Sequence, residues 1–227
     1  METAVQGTRT PRPLPIVGGH LALDFANTVD DPEGPERYDH AGTYPELIGW
    51  SARIGILRPD QADALLASAE EHPRSASAAL RRAHALRRTL IDSFTQIAVT
   101  NAGEPADTGR RTLAQHWADL RRFVMDAIGH AELELRPVPV EARARAGYQL
   151  TWPETTRLDV MLGPIGLAAL DLLTSPQLSR LKKCAGCPWV FLDQSKNLSR
   201  RWCAMNDCGT HEKIRRYVTR RAAKNRA

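Results

Sequence analysis

Four cysteines carry the most specific chemistry in this chain. They are Cys184, Cys187, Cys203 and Cys208, so two residues separate the first pair, fifteen lie between the pairs and four separate the second pair. A Cys-x2-Cys turn presents two thiolates to one ion, and the segment between the pairs can bring the other two thiolates to it. Four thiolates complete the tetrahedral coordination of Zn2+ and leave no open position. We therefore predict one structural zinc ion per chain.

Two other uses of these residues are open from the sequence. Four cysteines could form two disulfides, but disulfide frameworks are typical of exported proteins, and the polar, proline-rich start of the chain does not resemble an export signal. His211, three residues after Cys208, could replace one thiolate. Zinc held by four cysteines is the favoured reading.

Positive charge is concentrated around and after the second cysteine pair. The whole chain carries a net charge of +5, whereas residues 176–227 contain thirteen basic and three acidic residues, a net charge of +10. Residues 1–175 are therefore mildly acidic, at −5. A basic end on an acidic body suggests that this end binds a polyanion.

Eight basic side chains fall within residues 196–221 and are the predicted DNA contacts. They are Lys196, Arg200, Arg201, Lys213, Arg215, Arg216, Arg220 and Arg221. A helix expected after the last cysteine would place positions 213, 216 and 220 on one face, slim enough for the major groove. We expect Arg200 and Arg201 to hold phosphates, and Lys213 and Arg216 to lie nearer the bases. The alternative is a basic helix that docks an acidic protein partner or RNA.

The elements expected around the metal resemble a treble clef. The apolar run 189–192 predicts the first strand of a short hairpin between the cysteine pairs, packed over the ion. Trp202 is expected to join this small core. In the following helix, Ile214, Tyr217 and Val218 are expected to face the module.

Upstream of this module, residues 16–175 predict a mainly helical domain with a small β hairpin. Apolar residues recur at helical spacing over about 44–55, from Pro59 onward, over 75–100 and over 112–128. A last helix is expected over 156–173, kinked at Gly163-Pro164. Alternating apolar residues predict two strands within 131–152 that pair with each other. Four arginines of the longest helix are interpreted as a solvated face: Arg81, Arg82, Arg87 and Arg88.

The predicted fold class is therefore mainly α with a small β hairpin or sheet (α+β). A helical N-terminal domain is followed by a C-terminal treble-clef-like zinc finger. The expected boundaries are a disordered segment at 1–15, the helical domain at 16–175 and the finger at 176–227, with Ser175-Pro176 between them.

A short polar group near the start of the helical domain is a candidate ligand pocket. It consists of His20, Asp24, Asn27 and Thr28. A helix would bring the last three together at i, i+3 and i+4, where they could line a pocket with His20. The alternative, local capping and buried hydrogen bonds, is the favoured interpretation.

The segment 184–203, followed by Cys208-Gly209, resembles the CGNR zinc-finger family. The run Cys-Ala-Gly-Cys-Pro-Trp-Val-Phe-Leu-Asp-Gln-Ser-Lys-Asn-Leu-Ser-Arg-Arg-Trp-Cys carries the resemblance, although Thr210-His211 stand where the family usually has Asn-Arg. The segment 18–28 is similar to the opening of the ABATE domain, which usually precedes this finger in proteins described as stress-induced bacterial transcription regulators. The resemblance implies a sensing domain followed by a DNA-binding finger.

The sequence contains no phosphate-binding loop, no nucleophile elbow and no dinucleotide fingerprint, so we do not predict an enzyme. The longest apolar stretch, 158–173, includes two aspartates and a proline and is too short and too charged to span a membrane.

We expect a cytoplasmic regulator whose partners are DNA and a small-molecule effector. Two-fold symmetry is common in such proteins, so a homodimer is also expected.

Overall fold

The computed structural model describes residues 14–30, 38–105, 111–136, 147–153 and 156–224. Of the segment 1–15 that is predicted to be disordered, residues 1–13 lie outside the described residues. Leu14 is already buried, and its carbonyl accepts a hydrogen bond of 2.9 Å from Arg53.

Helices dominate the described residues, and the strands form three short antiparallel pairs. The helices are α1 Leu21–Ala26, α2 Tyr44–Arg53, α3 Pro59–Glu71, α4 Pro73–Asn101, α5 Leu113–Gly129, α6 Leu162–Thr174 and α7 Thr210–Lys224. The pairs are β1 Val29–Asp30 with β2 Tyr38–Asp39, β3 Glu132–Arg136 with β4 Gly147–Thr151, and β5 Leu181–Lys183 with β6 Val190–Leu192. The predicted fold class is confirmed.

Local signals set the ends of several helices. Thr43 caps α2 and Thr112 caps α5, each in a reciprocal arrangement with the side chain three residues later, Glu46 and Gln115. These capping boxes satisfy backbone N–H groups that have no partner within the helix. Pro59 opens α3, where its missing N–H costs nothing.

The long helix α4 runs through the centre of the body. Leu86, Leu90 and Phe94 are fully buried on it. Arg87, expected on a solvated face, is also buried, so that prediction is wrong for this residue. Its guanidinium donates to both carboxylate oxygens of Asp39, at 2.6 and 2.5 Å, because β2 packs beside α4 and supplies the counter-charge.

Two other segments of the body test the sequence predictions. The expected hairpin is present, with Leu133 opposite Leu150 across β3 and β4. The last body helix is shorter than expected: α6 begins at Leu162, so Pro164 lies in its first turn and no kink is needed.

The hairpin β5–β6 belongs to the same core as the helical body. Leu181 and Phe191 are fully buried, and β5 packs on α4. The N–H of Leu192 donates to the carbonyl of Gly18 at 2.9 Å, which extends the pairing of β6 to the chain entering α1. Among the described residues, no helix is both long and apolar enough to cross a membrane.

Candidate metal centre and nucleic-acid interface

The first cysteine pair lies in the tight turn that joins β5 to β6. Cys184 follows β5 directly, and its N–H donates to the carbonyl of Trp189 at 2.8 Å, which closes the turn. The N–H of Gly186 points at the Cys184 sulfur, 3.4 Å away. Antiparallel strand pairing therefore builds the knuckle that holds Cys184 and Cys187 on one side.

The second pair is brought to this knuckle by backbone contacts. The N–H of Ala185 donates to the carbonyl of Arg201 at 2.9 Å, and the N–H of Cys203 donates to the Cys184 sulfur at 3.3 Å. Cys208 follows within a single π-helical turn, Met205–Gly209, that leads into α7. The four sulfurs come from two turns and one helix entry.

The spacing of the four sulfurs fits a tetrahedral zinc ion. All four lie within 4.8 Å of one another, and the Cys187–Cys203 and Cys203–Cys208 sulfur distances are 3.6 and 3.7 Å. Zn–S bonds of about 2.3 Å at tetrahedral angles place neighbouring sulfurs about 3.8 Å apart. The donor set and its geometry therefore fit one structural zinc ion.

Packing around the cluster leaves little room for other side chains. A Cβ added at Gly186 would lie 3.1 Å from the Cβ of Cys208, a tight contact that a shift of a few tenths of an ångström would have to relieve. Burial raises the pKa of the Cys208 thiol, and a bound Zn2+ would favour its thiolate form. His211 is exposed, and its ring nitrogen lies 3.5 Å from Asp207, outside the four-cysteine cluster.

The strand after the knuckle pairs differently from the prediction. Val190–Leu192 is the second strand of a hairpin, and its partner Leu181–Lys183 precedes the first cysteine. The expectation of a hairpin between the cysteine pairs is therefore wrong. The apolar run does form a strand, as predicted. Its side chains pack into the body core, and this position favours pairing with β5, which precedes the cysteines.

Between β6 and the second cysteine pair, a buried aspartate organises the loop. Asp193 accepts hydrogen bonds from Lys182 at 2.8 Å, from both the N–H and the hydroxyl of Ser195, and from the N–H of Arg200. Burial alone would raise the pKa of Asp193, but Lys182 and these hydrogen bonds hold it well below its usual range. The loop that carries Lys196 is thus fixed by an ionised side chain.

The two adjacent arginines of this loop have different surroundings. The guanidinium of Arg200 donates to the carbonyls of Trp202 and Cys203 and stacks on Phe191, 4.6 Å from the ring centroid. Arg201 is exposed and lies over the ring of Trp202. Arg200 therefore clamps the metal loop, and Arg201 is the one open to solvent.

The remaining predicted DNA contacts are on the exposed turn and on α7. Lys196, Lys213 and Arg221 are exposed. Arg215 is also exposed and pairs with Glu212 at 2.6 Å. Positions 216 and 220 lie within α7, between these residues.

The apolar residues of α7 do not face the metal module. Ile214, Tyr217 and Val218 are 55%, 58% and 58% exposed, so the prediction that they pack inward is wrong. The helix α7 packs mainly against the π-helical turn Met205–Gly209 that precedes it, so these side chains are left exposed. Trp202 is half-buried and packs against the core, as predicted.

The four residues of the candidate ligand pocket are occupied by the protein itself. Asp24 accepts from the N–H of Gly18 at 2.8 Å, although burial raises its pKa, and His20 accepts from the N–H of Ala22 and lies 3.5 Å from Asp171. Thr28 donates to the carbonyl of Phe25 and accepts from the Arg87 guanidinium. These contacts favour the reading of local capping and buried hydrogen bonds.

Asn27, the fourth of these residues, joins the body to the hairpin. Its amide donates to the carbonyl of Val190 at 2.9 Å and its oxygen accepts from the N–H of the same residue at 3.1 Å. Next to it, the indole N–H of Trp189 donates to the carbonyl of Val29 at 3.0 Å. None of the sequence patterns described above predicts this joint. The one available signal was a pair of polar residues within an otherwise apolar segment.

Two family models match the chain, in adjoining segments. The model described as "Putative stress-induced transcription regulator", ABATE, matches residues 19–176, and the model described as CGNR zinc finger matches residues 180–221. The second match contains all four cysteines, and the first contains the helical body. Comparison with the curated proteins gives no match.

Proposed function

The chain belongs to the ABATE family, and we propose that it is a regulator that binds duplex DNA through its zinc finger and the helix that follows. The observation that carries the proposal is the position of the exposed cations beside the metal centre. Lys196, Arg201, Lys213 and Arg221 are exposed. The first two lie on the loop that Asp193 holds, and the last two lie on α7, which begins directly after Cys208 and Gly209.

Charge favours a polyanion as the partner of this surface. Residues 176–227 carry a net charge of +10 on a chain whose remainder is acidic. The major groove is wide enough to admit an α-helix such as α7, which has fifteen residues. The two flanks of a helix in the groove can reach phosphates on both strands. The zinc has a structural role in this proposal, since four thiolates leave no position for a substrate.

Selection from random duplexes tests the proposal, using the zinc-loaded full chain. We expect enrichment of a defined sequence, and binding to it that weakens with salt at a log–log slope of about −0.9 for each phosphate neutralised. An acidic protein partner would also give salt sensitivity, so enrichment is the deciding result. If every duplex binds equally weakly, the proposal of a sequence-specific regulator is wrong.

A charge-reversal pair sharpens this test. Arg216→Glu with Arg220→Glu should abolish binding while the zinc content is unchanged, because neither residue is near the cysteine cluster in sequence. The matched control is Arg121→Glu with Arg122→Glu, two exposed arginines on α5. The control should bind DNA almost as well as the unaltered chain.

An effector for the helical body is part of the same proposal. An open groove of about 620 Å³ lies between α3, α4 and the segment before α6, where Ser68, His72, Ser75, Arg82 and Asp159 provide polar groups. It does not include His20 or Asp24. A compound that raises the melting temperature of the chain, and loses this effect in Ser75→Trp, would identify the groove as the sensing site.

A further inference from the structure

The helix α7 carries a stripe of apolar side chains that the described part of the body leaves uncovered. Ile214, Tyr217 and Val218, here called the α7 stripe, are each more than half exposed. They lie at i, i+3 and i+4, so they share one face of the helix. Contiguous apolar side chains on an otherwise charged helix mark a binding surface rather than incidental exposure.

Basic residues border the α7 stripe on both sides. At about 100° per residue, positions 213 and 220 fall on one side of the stripe and position 215 falls on the other, while position 216 lies on the opposite face of the helix. Arg221 falls in line with the stripe itself. The Arg215 side chain of the Arg215–Glu212 pair is exposed, so its guanidinium can exchange the carboxylate for a phosphate.

This layout matches a helix lying in the major groove. The central face of such a helix meets the base edges, while its two flanks meet the phosphates of the two strands. The apolar side chains at the centre of α7 would need an apolar group on those base edges to contact. The C5-methyl group of thymine is the apolar group that the major groove presents.

We propose that the α7 stripe contacts thymine methyl groups, so that the protein recognises a site rich in A·T pairs. This inference rests on the proposed DNA binding and adds the bases that are read. It also assigns Lys213 to a phosphate rather than to a base, because position 213 lies on a flank. Arg221, in line with the stripe, is then the cation placed to reach a base edge.

Replacing thymine by deoxyuridine in the duplex enriched by selection tests the inference directly. The exchange removes only methyl groups and keeps every charge and base pair. We expect the affinity of the zinc-loaded full chain to fall about fourfold for each contacted methyl that is removed. This arm of the experiment requires no protein variant, so it does not depend on whether a variant folds.

Two variants then connect the effect to the α7 stripe. Ile214→Ser with Val218→Ser should bind the thymine and deoxyuridine duplexes equally, with an unchanged salt slope and unchanged zinc content. Arg215→Gln is the matched control on the flank. It should reduce the salt slope by about 0.9 and keep the preference for thymine.

Four other results would overturn the inference, and one of them would also overturn the proposed DNA binding. Equal binding of the two duplexes by the unaltered chain, or an enriched sequence without a preferred thymine, overturns this inference and leaves the proposed function standing. A lack of binding to any duplex at low salt overturns both. If the double serine variant changes from dimer to monomer but keeps the thymine preference, the stripe is a contact between two copies of this chain, and the inference is wrong.

Discussion

At the scale of single residues, the Asn27 carboxamide is bonded to both polar groups of the Val190 backbone. Both residues are buried, at 3% and 2% exposure, so neither backbone group could turn to water if the side chain were removed. A carboxamide matches one N–H and one C=O in the way that a neighbouring strand would. Asn27 therefore takes the place of a strand partner at this position of β6.

Asn27→Ala should lower the free energy of unfolding by about 2–4 kcal/mol, because it leaves a buried N–H and a buried C=O without partners. Chemical denaturation of the zinc-loaded chain measures this. The matched control is Asn101→Ala, since Asn101 also donates to backbone carbonyls but is exposed. Its loss should be below about 1 kcal/mol. An Asn27 variant as stable as the control would mean that the two hydrogen bonds to Val190 contribute little to stability.

Arg87→Ala should lower the free energy of unfolding by about 3 kcal/mol, because it removes the buried guanidinium that pairs with the half-buried Asp39 carboxylate. Burial would raise the pKa of Asp39, but Arg87 holds it below its usual range, so the pair stabilises the fold at neutral pH. The stability difference between wild type and variant should narrow as the pH falls below about 4 and Asp39 is protonated. Arg81→Ala, on the exposed side of α4, is the control and should change little.

These examples show why single residues differ in how well the sequence predicts them. The four cysteines were identified because metal ligands follow a local spacing that the chemistry of zinc imposes. Asn27 and Val190 are 163 positions apart, and no local rule connects them. Arg87 belongs to a run of arginines that is typical of a solvent-exposed helix face. Its burial depends on Asp39, which is distant in sequence and reaches it only in the folded chain.

At the scale of elements, the hairpin β5–β6 belongs both to the metal module and to the body. Leu181 of β5 and all three residues of β6 are buried in the body core, and the turn of the hairpin carries the first cysteine pair. The helices were predictable because their caps and apolar spacing are local signals. The partner of β6 was not, because Lys182 and Lys183 make β5 look like a polar connection in the sequence.

Removing zinc with a chelator should separate these two roles. We expect fast hydrogen exchange in residues 195–224, where the metal provides most of the order, and continued protection at 181–183 and 190–192. Mass spectrometry of peptic fragments resolves these segments. Cys203→Ala should give the same pattern. Loss of protection in the strands as well would mean that the metal supports the hairpin too.

At the scale of the whole molecule, the sheet of β3 and β4 exposes a group of apolar side chains on the body. Leu133, Leu135 and Leu150 are 70%, 61% and 42% exposed, and the strand register puts Leu133 opposite Leu150, on the same face as Leu135. Two copies of the chain could cover this face together. A dimer would present two fingers, which suits the symmetric half-sites that regulators commonly read.

We therefore expect the chain to sediment as a dimer, and Leu133→Asp with Leu135→Asp to sediment as a monomer of unchanged helicity. Ile16→Asp is the control, because Ile16 is exposed outside this sheet. Sedimentation velocity without DNA distinguishes the two states. A wild-type monomer at high micromolar concentration would contradict the expectation.

The joint between Asn27, Trp189 and the hairpin has a consequence for how such proteins can be recombined. A finger transplanted from a relative would have to bring a strand whose backbone meets Asn27 and an indole that reaches the carbonyl of Val29. A cut at position 176 would leave β5 and β6 without the body that buries them. Chimeras between members of this family should therefore fold only when residues 18–29 and 181–192 are exchanged as one set.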